Sequence, residues 1–182
     1  MEQRFRPTLA NAGRRPVRLA LQALLVLTTL ALALCSCAPT PRDVGHLRRD
    51  AWSLEEPRSL LVKFMRFDYQ VQPVGGDVAG VKGWAYLDTS KVPQWARWVE
   101  SLTLTVHLSD PEGHVLAQDS RSFLPRAASA DEGVPFEFSL RPEQWGRREL
   151  FITFGYALVL TEGRDVEGGK QTFFASEDAI TR

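Results

Sequence analysis

The stretch from Ser101 to Leu124 constrains the fold more than any other part of the chain. Its first half alternates aliphatic with polar residues, and the aliphatic positions are Leu102, Leu104, Val106 and Leu108. This period of two predicts a strand with one buried face, and it places Thr105 and His107 on the solvent face. Turn-forming residues follow at 110–113, and a second extended run covers 114–123. The stretch therefore predicts a β-hairpin, whose apolar face other strands must cover because a lone hairpin is marginal in water.

Five further strands are predicted around this hairpin. They cover residues 60–71, 78–87, 136–140, 150–161 and 170–175. The run 150–161 is apolar on both faces, which predicts a central strand with Phe154 and Leu158 on its buried face. Short strands with frequent turns and no long helix predict an all-β fold, an antiparallel immunoglobulin-like β-sandwich of about seven strands. We expect this domain to span residues 58–177, with 178–182 as a C-terminal tail.

The first 36 residues have the pattern of a signal peptide. Five arginines, with only Glu2 against them, precede the apolar run Leu19–Leu34. At 16 residues this run is shorter than the roughly 20 that a transmembrane helix needs, and it ends in small residues and cysteine. We therefore predict a signal-peptide helix that is cleaved after Ser36.

The end of this run, Leu34-Cys35-Ser36-Cys37, resembles the lipobox of bacterial lipoproteins. In that family an aliphatic residue lies three positions before the lipid-modified cysteine, and a small residue lies directly before it. Cys37 fits both positions, while lipidation of Cys35 and an uncleaved anchor stay open as alternatives. The resemblance implies fatty acyl chains that hold the mature chain on a membrane. Because Ala38, and not Asp, follows the cysteine, the resemblance also implies the outer membrane, facing the periplasm.

The chain that remains after cleavage is mildly acidic and long enough for one domain. Five of the 22 basic residues and one of the 22 acidic residues lie in the signal peptide, which leaves 17 against 21 and a net charge of −4. No basic block could follow a phosphate backbone, which argues against nucleic acid as a partner. Residues 37–57 are rich in proline and charge and lack apolar periodicity, so we expect them to form a flexible tether. With Cys35 removed and Cys37 lipidated, no disulfide is expected.

Residues 78–140 resemble the FxLYD-type and related immunoglobulin-like lipoprotein domains. The matching residues are Gly80-Val81, Val106 with Leu108, Asp110 with Gly113, Val115-Leu116 and Pro135-Phe136. The chain departs from the family pattern because it lacks the Asn after the second strand and has a longer loop before Val134. The resemblance implies a sandwich that acts in binding or assembly and that lacks catalytic machinery.

The sequence contains no recognisable catalytic, cofactor-binding or metal-binding motif, so we predict no enzyme activity, no cofactor and no metal site. The histidines His46, His107 and His114 are separated in the chain. His107 and His114 are interpreted as exposed residues without a carboxylate partner. The acidic pairs at 55–56 and 131–132 lie in predicted loops, where nothing indicates the raised pKa that acid–base catalysis requires.

Four tryptophans remain as candidates for a functional role: Trp84, Trp95, Trp98 and Trp145. They either pack into the core or contact a protein or glycan from the surface. Trp95 and Trp98 are the predicted contacts, because residues 90–100 have apolar residues at helical spacing and predict one helical turn beside the hairpin. The leading hypothesis is a non-catalytic, membrane-anchored lipoprotein that binds another envelope protein. The alternative is a carrier of a small or lipidic ligand between the two sheets.

Overall fold

The computed structural model describes residues 41–141, 149–164 and 171–181, and these form an antiparallel β-sandwich. The strands are β1 (Arg42–Asp43), β2 (Asp50–Ala51), β3 (Arg58–Leu61), β4 (Met65–Gly75), β5 (Val78–Leu87), β6 (Trp98–Ser109), β7 (Val115–Phe123), β8 (Arg126–Ala127), β9 (Val134–Leu140), β10 (Phe151–Thr161), β11 (Thr172–Glu177) and β12 (Ile180–Thr181). A 3₁₀ helix, Thr89–Lys91, joins β5 to the segment before β6. Residues 1–40, with the predicted signal-peptide helix, lie outside the described part of the chain.

Two large sheets face each other across one core. The six-stranded sheet has the order β11-β10-β6-β7, with β2 also paired to β10 and β8 also paired to β6, and the four-stranded sheet has the order β3-β4-β5-β9. A third sheet consists of β1 and β12 alone. The predicted all-β sandwich is confirmed. The predicted hairpin is the pair β6 and β7, in which Leu104 lies opposite Arg121.

The core is filled by alternate residues of the strands in the two large sheets. Phe154 of β10 is fully buried, and its ring stacks on that of Phe67 of β4 with the centroids 4.5 Å apart. The ring of Phe136 of β9 lies 5.5 Å from the same ring. Because Phe67 and Phe136 belong to the four-stranded sheet, Phe154 connects the two layers. The prediction that Phe154 and Leu158 face the core is confirmed.

Two predicted segments have a different local structure. The predicted strand 60–71 is divided into β3 and β4, which are joined by a turn in which the backbone N–H of Val62 donates to the carbonyl of Met65. The predicted helical turn within 90–100 is wrong, since the 3₁₀ helix ends at Lys91 and Trp98 already begins β6. Val92 is extended, with φ −107° and ψ 159°, as expected for a residue that precedes a proline.

Residues 42–57 belong to the folded domain, so the predicted tether is wrong over this range. Val44 is fully buried and Leu47 is nearly so. The segment also contains β1, which pairs with β12, and β2, which pairs with β10. The prediction of a C-terminal tail at 178–182 is likewise wrong over residues 178–181, because they contain β12. Isolated apolar residues such as these have no strand or helix period, and only their burial shows that they belong to the domain.

Residues 42–49 and 178–181 together lie over the outer face of the six-stranded sheet, and we term them the strap. The hydroxyl of Thr153 on β10 donates to the carbonyl of Arg48 at 2.6 Å. His107 on β6 is fully buried and Thr105 is only 5% exposed. The prediction that Thr105 and His107 face solvent is therefore wrong, since the strap excludes water from this part of the sheet.

Candidate functional site

The outer face of the four-stranded sheet carries the most exposed tryptophan among the described residues. Trp84, in β5, is 49% exposed, and Tyr86 lies two positions along on the same face. The cross-strand neighbours of Trp84 are Asp68 on β4 and Pro135 on β9. We term the outward-facing side chains of this region the Trp84 face; they are Arg66, Asp68, Lys82, Trp84, Tyr86 and Pro135.

Gly133 determines where the aromatic rings of the Trp84 face lie, and Gly83 allows β4 to approach β5 closely beside Trp84. A Cβ atom on Gly133, in the loop before β9, would be 2.8 Å from the ring of Tyr86 and 3.2 Å from Cε3 of Trp84. A Cβ atom on Gly83 would collide with the backbone of Asp68 on the neighbouring strand. Both positions therefore require glycine. The rings of Trp84 and Tyr86 pack against the backbone of Gly133, which limits their movement.

Charged and polar side chains lie around the rings of Trp84 and Tyr86 and interact with one another. The guanidinium carbon of Arg66 lies 4.5 Å from the centroid of the Tyr86 ring, within the range of a cation–π interaction. The same guanidinium pairs with the carboxylate of Asp68 at 3.3 Å. The hydroxyl of Ser59 donates to the other oxygen of Asp68 at 2.7 Å. The aromatic centre thus has an ordered polar rim.

Two open hollows lie beside the aromatic centre. The first has a volume of about 410 Å³, and Arg58, Lys82 and Trp84 contribute to its lining. The second has a volume of about 390 Å³, and Leu61 and Tyr86 contribute to its lining. Trp, Tyr and Arg are the residue types enriched at the centres of protein interfaces, where pockets receive side chains of the partner. The Trp84 face therefore has the composition and relief of a binding surface.

Trp95 and Trp98, the contacts predicted from the sequence, are both half-buried. Trp95 packs against the hydrophobic core, and Trp98 pairs with Ala127 of β8 and Thr161 of β10. A contact role for these two residues stays a prediction. Trp145 lies outside the described residues.

A buried histidine and a carboxylate are hydrogen-bonded where the strap meets the sheet. Nε2 of His107 lies 2.5 Å from Oδ1 of Asp178, and Nδ1 of His107 has no hydrogen-bond partner among the described residues. Gly155 on β10 makes room for this carboxylate, because a Cβ atom there would be 2.5 Å from Oδ1 of Asp178. The interpretation of His107 as a residue without a carboxylate partner is wrong. The His107 ring has no exposed surface, whereas the Asp178 side chain is 46% exposed, and the pair attaches the strap to the sheet.

The pKa of Asp178 reflects its position at the edge of the strap. Burial raises the pKa of this carboxyl, but the hydrogen bonds from His107 and from the backbone N–H of Ala179, with the charges of His107 and Arg42, outweigh burial and leave the pKa below its ordinary value. The carboxylate is therefore ionised at neutral pH.

The turn between β6 and β7 also brings ionisable groups together. Possible ligand atoms of Asp110, Glu112 and His114 all lie within 4.8 Å of one another. The carboxylate of Asp110 accepts hydrogen bonds from the backbone N–H of His114 at 2.8 Å and from its ring nitrogen at 3.0 Å. Burial raises the pKa of Asp110, but these hydrogen bonds outweigh it and lower the pKa. His114 thus also has a carboxylate partner, contrary to its interpretation from the sequence, and the hydrogen bonds of the turn account for this cluster.

The described residues of the two large sheets pack tightly against each other in the interior. A hollow lined by residues of both sheets, among them Met65, Leu102 and Leu158, measures about 20 Å³. A volume of this size holds about one water molecule, whereas ligand pockets measure roughly 300 to 1,000 Å³.

The predicted lipidation sites, Cys37 and the alternative Cys35, lie outside the described residues. Within the described ranges, no helix combines the length and the apolar character that crossing a membrane requires. Comparisons with protein-family models, with curated proteins and with solved structures find no match to this chain.

Proposed function

We propose that this chain is a non-catalytic lipoprotein, anchored through Cys37 to the periplasmic face of the outer membrane, that binds another envelope protein through the Trp84 face. The observation that carries the proposal is the exposure of Trp84 on a strand, with its ring fixed against Gly133. The lipobox-like residues that end at Cys37 support the anchor.

The geometry of the Trp84 face supports a protein as the partner. Its side chains lie on sheet strands, so that little conformational freedom is lost on binding. It combines the aromatic residues Trp84 and Tyr86 with charges of both signs from Arg66, Asp68 and Lys82, as in an interface that has an apolar centre and a polar rim.

Core packing favours surface binding over the alternative, a carrier of a small or lipidic ligand between the sheets. The hollow of about 20 Å³ is far below ligand size. At the centre of the interlayer space, the rings of Phe67, Phe136 and Phe154 contact one another. A ligand placed there would have to separate them.

Cross-linking in intact cells tests the proposed surface. A photo-reactive amino acid at Lys82, which is exposed, is expected to capture a partner protein, and Trp84→Ala is expected to abolish the capture. The free energy of unfolding of Trp84→Ala should stay within about 1 kcal/mol of the unsubstituted chain, because the ring is half exposed. Phe174→Ala is the matched control, since Phe174 is 73% exposed on the other large sheet. Capture that survives Trp84→Ala, or that Phe174→Ala abolishes instead, would contradict the proposal.

A further inference from the structure

A groove with basic walls lies beside the first residues of the folded domain. It has a volume of about 360 Å³, and its charged lining consists of Arg48, Lys63, Lys91 and Glu177, with His46 as a further polar group. We term it the basic groove. Arg48 and His46 belong to the strap, directly after β1, whereas Lys63 lies in the turn between β3 and β4.

The charges in the basic groove leave an excess of positive charge. Glu177 is engaged with the protein, because its Oε2 accepts hydrogen bonds from the backbone N–H of Lys63 at 2.9 Å and from the hydroxyl of Tyr156 at 3.3 Å. Lys91 pairs with Asp88 at 3.0 Å. The exposed side chains of Arg48 and Lys63 form no ion pair within the described part of the chain. An arginine fork and an ammonium group in one hollow match the oxygens of a phosphate.

Part of the groove lining, His46 to Arg48, follows the proposed anchor closely in the sequence. β1 begins at Arg42 and Val44 is already buried, so four residues separate Cys37 from the first strand. Even when fully extended, such a connection spans at most about 18 Å. A connection this short lets the domain lie against the bilayer, where the groove comes within the roughly 8 Å over which electrostatic attraction acts at physiological salt.

We infer that the basic groove binds the phosphate of an anionic lipid headgroup in the membrane that carries the anchor. This inference rests on the proposed anchoring through Cys37. Arg48 and Lys63 donate to the phosphate oxygens, and Leu47, Leu61 and Val62 provide apolar wall for the glycerol and the first methylene groups. Leu61 lines both the groove and the second hollow of the Trp84 face. A headgroup bound in the groove therefore sets how the Trp84 face is oriented to the bilayer.

Titration of the full chain, purified from lipoprotein-processing cells in an uncharged detergent, tests this inference. The probes are dihexanoyl phosphatidylglycerol, dihexanoyl phosphatidylcholine and inorganic phosphate, and calorimetry gives their affinities. The anionic lipid is expected to bind about tenfold or more tightly than either of the other probes. Arg48→Ala combined with Lys63→Ala is expected to weaken its binding about tenfold or more. Arg97→Ala combined with Arg141→Ala removes two exposed cations that line neither the groove nor the Trp84 face, and should leave the affinity unchanged.

Three outcomes would overturn the inference: equal affinity for the two lipids, equal affinity for inorganic phosphate and the anionic lipid, or unchanged binding in the Arg48→Ala and Lys63→Ala chain. Labelling of the same chains with a fatty-acid analogue in cells reads out the anchor separately. If the chain carries the fatty-acid label but does not bind the anionic lipid, the inference about the groove is refuted and the proposed anchor is supported. Lipid binding without label supports the groove and refutes the proposed anchor.

Discussion

Thr105 and Phe154 lie on opposite faces of the six-stranded sheet, yet both are buried. Phe154 is buried by the facing sheet, as the alternation in its strand predicts. Thr105 is buried by the strap, and its hydroxyl lies 3.2 Å from that of Ser120 on β7. Replacing Thr105 is therefore expected to change the stability of the domain. A control for core substitutions must instead be a solvent-exposed residue.

Replacing Phe154 with alanine should destabilise the domain severely. Its ring stacks on that of Phe67 and contacts those of Tyr69 and Phe136, so the substitution leaves a cavity at the centre of the core. We expect a loss of about 3 to 5 kcal/mol in the free energy of unfolding, measured by urea denaturation. The same substitution at Phe174, which is 73% exposed, should cost about 1 kcal/mol or less. A larger loss at Phe174 than at Phe154 would show that the facing of the six-stranded sheet is wrong.

At the scale of elements, the strap connects the two ends of the domain. β1, near its beginning, pairs with β12, near its end, and Arg42 lies opposite Thr181. The His107–Asp178 pair attaches this small sheet to β6, and Gly155 provides the space on β10. The attachment of the strap therefore depends on the carboxylate of Asp178, which loses its charge in acid.

Acid should weaken the strap through Asp178. The folded pKa of Asp178 is lowered, so its carboxylate stabilises the fold above the unfolded pKa of about 3.9, and this contribution disappears as the pH falls through the folded pKa. The contribution of Asp178 to the free energy of unfolding should therefore be fully present above about pH 5 and should decrease below about pH 4. Asp178→Asn keeps an oxygen that can accept a hydrogen bond and removes the titration.

Urea denaturation at pH 6 and pH 3 measures this effect. The loss of stability between the two pH values should be smaller for Asp178→Asn than for the unsubstituted chain. Asp131→Asn, at an exposed loop carboxylate, should leave the loss unchanged and serves as the matched control. An equal loss in Asp178→Asn and the unsubstituted chain would mean that the pair with His107 does not link stability to pH.

At the scale of the whole molecule, the proposed anchor and the folded domain are separated by very little chain. A tether that ended at residue 57 would let the domain explore a wide zone above the membrane. Because β1 begins at Arg42, only four residues separate it from Cys37, so a lipid at Cys37 would allow the sandwich much less freedom above the membrane. A partner that meets the Trp84 face would then itself lie near the membrane surface.

Substituting Cys37 should detach the lipid without unfolding the domain. Cys37 precedes the described residues, and the buried residues of the main hydrophobic core lie between Leu60 and Leu160. We expect Cys37→Ser to lose the label of a fatty-acid analogue, while the sandwich of any soluble product resists protease as before. Cys35→Ser is the matched control and should retain the label. Label that remains in Cys37→Ser and disappears from Cys35→Ser would assign the anchor to Cys35.

The sequence by itself determined the class of the fold and its central pieces. The hairpin of β6 and β7, the bounds of β5 and the buried face of β10 follow from alternation, because the side-chain period of a strand is a local property. The Trp84 face could have been found in the same way, since Lys82, Trp84 and Tyr86 alternate with Val81, Ala85 and Leu87. The many apolar residues of β5 concealed that period.

Tertiary structure alone decided which outer surfaces are covered and which stay open. His107 and Asp178 are 71 residues apart in the chain, and Val44 and Leu47 are buried although they follow no period. Alternation distinguishes the two faces of a strand, but it carries no information about a distant segment that lies over the second face. The strap buries only the part of the outer face of the six-stranded sheet that carries His107 and Thr153, and Trp84 stays exposed on the outer face of the four-stranded sheet. Only the folded chain brings residues 42–49 and 178–181 together to form this cover.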